Sequence, residues 1–165
     1  MADWIEFPLR ALAIGVGATA VMDGWTLLQK HLLGVVPLDY AMVGRWLGHL
    51  ARGRVRHDAI ATAAPVAGER LIGWLAHYAI GVAFAGLLLA LCGTDWARHP
   101  SPGPALAIGL ATVAAPFLIL QPALGAGIAA SRTPRPNRAR LRSLTTHLVF
   151  GLGLYLAAEA LRWLG

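Results

Sequence analysis

Four long apolar runs, separated by three polar stretches, organise this chain. They cover about 9–28, 71–92, 105–130 and 143–160. Each approaches or exceeds the roughly 20 residues that an α-helix needs to cross a bilayer. Strands are a poor alternative, because the runs are rich in Ala, Leu and Gly and show no alternation of period two. The pattern predicts an all-α, polytopic integral membrane protein with four transmembrane helices in a single transmembrane domain over 1–165. The connecting loops are expected at 29–70 and 131–142, with a short turn at 93–104.

The first loop has a pattern of its own. Met42, Val43, Trp46, Leu47 and Leu50 recur at helical spacing, with Asp39, Arg45, His49 and Arg52 on other faces. This predicts a short helix lying in the cytoplasmic membrane surface with its arginines toward lipid phosphates. A second short helix is expected from Asp58 toward Glu69, interrupted by Pro65. A weak repeat links the two halves. Ala13-Ile14-Gly15 echoes Ala107-Ile108-Gly109, and His77 and Gly81 echo His147 and Gly151. Two copies of a helical hairpin would place His77 and His147 across a pseudo-twofold axis along the membrane normal. Gly15-x-Gly17 lacks the strand-turn-helix setting of a nucleotide loop and reads as packing.

Composition agrees: 57% of the residues are hydrophobic and 13% charged, about half the charged share of a soluble domain. That excludes a soluble enzyme, a disordered tail and a disulfide scaffold, and the single cysteine, Cys92, cannot close an internal disulfide. The formal net charge of +6 falls in the loops, so anionic lipid head groups are expected as partners rather than nucleic acid. The lipid-facing set is Arg45, Arg52, Arg54, Arg56, Arg132, Arg135, Arg138, Arg140 and Arg142. Six Lys or Arg lie in the first loop and five in the third, against Arg10, Arg98 and Arg162 on the other side. The positive-inside rule then places both loops in the cytoplasm and both termini outside. Trp4, Trp96 and Trp163 fall near the outer boundary and Trp25, Trp46 and Trp74 near the inner one. The first run is expected to be a retained helix rather than a cleaved signal, because Asp3 and Glu6 outweigh Arg10 before it.

Ionisable groups inside hydrocarbon are costly, at about 2.5–3.5 kcal/mol each on insertion scales, and mark candidate sites. At 1.5 Å per residue, Asp23 lies roughly 10 Å above Lys30, His77 roughly as far above Arg70, and His147 somewhat less above Arg142. Gln121 lies about 16 Å above Arg132, with Tyr78 beside this layer and Glu69 at its lower edge. Asp23, His77 and His147 each share a helical face with small residues, so they are expected to point inward. The candidate polar site is therefore Asp23, His77, Gln121, His147, Tyr78 and Glu69. Such a set suits handling of a proton, an ion or a small polar solute. If a metal is bound, Asp23, His77 and His147 are its expected ligands. Two other readings stay open: a structural protein whose buried polar groups only lock helices, and a lipid-modifying enzyme using His147 or His77 as a base with Glu69. A homo-oligomer is expected, since four helices enclose little room. The third run is too long to cross straight, and Pro116 and Pro122 predict a kink or a break within it.

Several longer motifs resemble a known family: Gly44-Arg45-Trp46-Leu47, Gly68-Glu69, Gly73-Trp74, His77-Tyr78-Ala79-Ile80-Gly81, the run from Gln121 to Gly127, and His147-x-x-Phe150-Gly151-x-Gly153-Leu154-Tyr155. The chain is similar, from about Ala11 to Tyr155, to small bacterial inner-membrane proteins known as a domain of unknown function. The resemblance implies an integral membrane protein of this size and brings no substrate, reaction or catalytic residue.

Overall fold

The computed structural model describes residues 3–164, and the side chains of Asp3 and Trp4 lie outside the described part. Among the described residues the regular structure is helical throughout. Helix α1 spans Asp3–Leu33, α2 Tyr40–Leu50, α3 Glu69–Cys92, α4 Asp95–Arg98, α5 Pro102–Ala111, α6 Gln121–Leu124 and α7 Pro136–Leu164. Four stretches are long and apolar enough to cross a membrane: Ile5–Leu33, Glu69–Cys92, Pro102–Leu124 and Pro136–Leu164. The chain is a multi-pass membrane protein. Large apolar side chains line its surface, among them Leu12, Leu71, Leu118 and Leu152, which lipid would cover at no cost.

Helices α1 and α7 run well past the apolar segments. Gln29, Lys30 and His31 continue α1 until Gly34 adopts a left-handed conformation and turns the chain out of the helix. Helix α7 starts at Pro136, whose fixed φ suits the first helical position, and carries Arg138, Arg140 and Arg142 before the apolar part begins. The third crossing is not one helix to Ala130. It passes from α5 into a π-helical turn over Pro116–Leu120 and then into α6, which stops at Gly125 with φ +99°. Neither proline can donate to the helical ladder, and the wider turn accommodates that loss. Between α2 and α3 the second expected helix is reduced to one 3-10 turn, Ile60–Thr62.

The chain forms two compact units. The first comprises Met1–Pro37, Tyr78–Thr112 and Thr145–Gly165; the second comprises Leu38–His77 and Val113–Leu144. The first unit has the larger core: Ile14, Ala18, Ala85, Leu88, Leu89, Phe150, Leu154 and Ala158 are buried together. Its helices approach through glycines. A Cβ on Gly15 would overlap the backbone at Gly81 and Val82, and one on Gly109 would overlap that at Gly151. The repeat motif therefore has a physical counterpart. In each hairpin, the glycine of the Ala-Ile-Gly triplet packs on the glycine four residues after the histidine. Gly15-x-Gly17 is a packing motif, with Gly17 against Ala157.

In the second unit α2 lies against the start of α3. A Cβ on Gly44 would strike the Glu69 carbonyl, and one on Gly73 would strike that of Tyr40. Asp39 caps α2 by accepting the Ala41 amide at 3.0 Å. The turn after α6 is pinned to the first loop: the His57 amide donates to the Ala123 carbonyl at 2.9 Å, and a side chain at Gly125 would meet the Asp58 backbone.

Candidate functional site

In the first unit the structure brings two of the predicted site residues together. Tyr78, on α3, donates its hydroxyl to Asp23 Oδ2 on α1 at 3.1 Å. A neutral phenol gives an apolar helix pair one strong donor for a carboxylate that lipid cannot solvate. Thr19, one turn before Asp23, is fully buried and returns its hydroxyl to the Gly15 carbonyl at 2.8 Å.

His147, on α7, has a partner that position in sequence did not suggest. The Thr112 hydroxyl lies 2.6 Å from the Gly109 carbonyl and 2.9 Å from His147 Nδ1. A carbonyl can only accept, so the hydroxyl hydrogen goes to Gly109 and the oxygen must accept from the ring. The network thereby assigns the hydrogen to Nδ1 and leaves the lone pair on Nε2. His147 is held as a neutral base with its basic nitrogen free of that bond.

In the second unit His77 sits in an aromatic cluster. Its Nε2 lies 3.0 Å from the Tyr40 hydroxyl, and the two rings stack with centroids 4.1 Å apart. Trp74 packs beside both, 4.6 Å from Tyr40 and edge-on to His77 at 5.8 Å. Gln121 donates to Ser143 Oγ at 3.2 Å, while its Oε1 is buried without a hydrogen-bond partner among the described residues. A buried acceptor left unfilled is a place where a water or a polar solute can bind.

Glu69 has a different occupation. Both of its oxygens receive the Arg45 guanidinium, at 2.7 and 2.9 Å, and it also accepts the Val66 amide at 2.9 Å. Arg45 Nη1 reaches the carbonyls of Ile60, Ala61 and Ala63 at 3.1–3.3 Å. The carboxylate beside it holds this guanidinium, already a strong base, firmly in its charged form. Arg45 thus knots the loop onto α3. The Arg45 contacts and the buried His49–His57 pair next to them were not legible as a site in the sequence, because their partners are loop carbonyls without any periodic signal.

Asp23, Tyr78 and His147 lie in the first unit, and His77, Gln121 and Glu69 in the second. Among the described residues no three His, Cys, Asp or Glu are grouped as a metal ion would need. A family model described as protein of unknown function (DUF2938) matches residues 12–161. No curated protein and no solved structure matches.

Proposed function

The chain belongs to the DUF2938 family of proteins of unknown function, and on that premise we propose that it is a multi-pass protein of the bacterial inner membrane that binds and passes a proton. The observation that carries this reading is the Thr112–His147 bond, which fixes the ring as an Nδ1–H base with its lone pair on Nε2. Protonation at Nε2 gives an imidazolium whose Nδ1–H keeps its bond to Thr112, so the ring gains and loses a proton without reorienting. Asp23, hydrogen-bonded to a phenol in the same unit, supplies a second exchanging group. In the second unit, the buried Gln121 Oε1 supports binding of a small polar solute there. The excess of arginine in 29–70 and 131–142 supports a cytoplasmic position for both loops, with both termini outside. We expect a homo-oligomer in contact with anionic lipid.

The test is reconstitution in vesicles with an internal pH dye and an imposed potassium diffusion potential. Wild-type protein should acidify or alkalinise the lumen well above protein-free vesicles. His147→Gln and Asp23→Asn should each lower that rate by about a hundredfold, the lower end of the range for a lost acid–base group. Unchanged rates in both variants, or a wild-type rate equal to the lipid background, would defeat the proposal. The glycine contacts favour a second reading, in which these polar pairs only fix helix register. In that case both variants lose folded protein and no flux exists to lose.

A further inference from the structure

A separate cavity of about 540 Å³ opens in the first unit, at the end that holds the start of α1, α4 and the end of α7. Three arginines line it, Arg10, Arg98 and Arg162, with one carboxylate, Glu6, and apolar walls that include Leu9 and Leu161. Glu6 is nearly enclosed, with 11% of its side chain exposed. It accepts Arg10 Nε at 2.8 Å on one oxygen, and Arg98 Nη2 at 2.8–2.9 Å on both. Arg98 Nη1 also reaches Asp95 at 2.9 Å, and Arg162 Nη2 reaches Glu159 at 2.7 Å. A guanidinium carries five N–H donors in a planar fork. These bonds leave Nη2 of Arg10 and Nη1 of Arg162 without an acceptor among the described residues.

The cavity therefore offers guanidinium N–H donors still open to an acceptor, beside a wall of hydrocarbon. Its position explains both properties. Glu6 and Arg10 stand where the long apolar run of α1 begins, and Arg162 stands where that of α7 ends. That is the depth at which lipid phosphates meet acyl chains. Leu9, between Glu6 and Arg10 on α1, is half exposed.

We propose that this cavity binds one anionic phospholipid. Its phosphate is held by Arg10, Arg98 and Arg162, and an acyl chain lies over Leu9 and Leu161. Glu6 is the internal counter-anion: it orients two guanidinium groups and competes with the phosphate for them. This site is made of first-unit residues alone and does not depend on proton handling.

The test uses the full chain, purified in detergent and titrated with phosphatidylglycerol, phosphatidylcholine or glycerol phosphate, with retained molecules counted by native mass spectrometry. The expected result is one phosphatidylglycerol per chain, retained in preference to phosphatidylcholine, and not displaced by glycerol phosphate at equal concentration. Arg162→Gln should weaken retention by about tenfold, the effect of one charge-assisted contact. Glu6→Gln should strengthen it. Arg162 lies partly exposed outside the Glu6 cluster, so its variant carries the test even if Glu6→Gln does not fold. Equal retention of the two lipids, or an Arg162→Gln variant that binds like wild type, overturns the proposal. Displacement by glycerol phosphate assigns the cavity to a free phosphate ester and overturns the lipid assignment.

Discussion

Gly109 and Gly151 meet backbone to backbone, so closely that a Cβ on Gly109 would stand 2.6 Å from the Gly151 nitrogen and 2.7 Å from the His147 carbonyl. No rotamer change relieves such an overlap, since the obstacles are main-chain atoms. The same holds for Gly15 against Gly81 and Val82. Gly109→Ala and Gly15→Ala should each destabilise the folded protein by about 3 kcal/mol, the upper range of overpacking costs. Gly24, on α1 with open space around its Cα, is the control. Gly24→Ala should gain about 0.5–1 kcal/mol from helix propensity alone. Unfolding titrations of the reconstituted protein distinguish the two outcomes.

The Thr112 hydroxyl predicts a tautomer. In wild-type protein the neutral His147 ring should carry its hydrogen on Nδ1, the rarer form for an exposed imidazole. Nitrogen-15 resonances of labelled histidine report this directly. Thr112→Val removes the acceptor while nearly keeping the shape, and His147 should then shift toward Nε2–H. Thr112→Ser should retain the wild-type pattern. A ring already in the Nε2–H form in wild type would contradict the assignment.

The spans were legible because lipid demands an unbroken apolar run, and the runs at 9–28 and 71–92 sit within α1 and α3. The ends were less legible. Gly34 and Gly125 end helices by backbone conformation rather than by hydropathy, and the Arg, Ala and Leu residues of 138–142 are good helix formers that a hydropathy reading counts as loop. Asp23, His77 and His147 stood out as costly groups in hydrocarbon. Tyr78 was singled out with them, but Tyr40 and Thr112 were not, because they are uncharged and carry no such penalty to betray them. The contacts of Arg45 were hidden for a related reason. On a helical wheel it faces away from the apolar stripe, yet the loop folds back and brings Glu69 and three carbonyls to it.

Arg45 should prove hard to replace. Its planar fork spans Glu69 while Nη1 serves loop carbonyls, and a lysine ammonium cannot do both at once. Arg45→Ala should leave Glu69 without its counter-charge and free the segment over 55–66. Hydrogen exchange and limited proteolysis should then rise in that segment, with the helices of the first unit unaffected. Arg45→Lys should restore protection only in part, and full restoration would show that charge alone suffices.

His57 gives the protein a dependence on pH outside the spans. It is 2% exposed, neither ring nitrogen is hydrogen-bonded among the described residues, and its ring meets His49 edge-on at 5.0 Å. His49 itself is committed, since its Nε2 faces the Ala64 carbonyl at 2.9 Å and so carries the hydrogen. Burial pushes the His57 pKa below its ordinary 6.5, and nearby Arg54 and His49 push the same way against a weaker pull from the Ala123 carbonyl and Asp58. The unfolded chain therefore takes up a proton that the folded one resists. The stability from keeping His57 neutral is present above pH 6.5 and is lost as the pH falls below it toward the lowered value. Because the His57 amide also holds the Ala123 carbonyl, the turn after α6 should loosen with it. Hydrogen exchange over 121–130 should accelerate as the pH is lowered through 6, once corrected for intrinsic rates. His57→Gln, which cannot take a charge, should flatten that dependence, and an unchanged pH profile in this variant would assign the effect to another group.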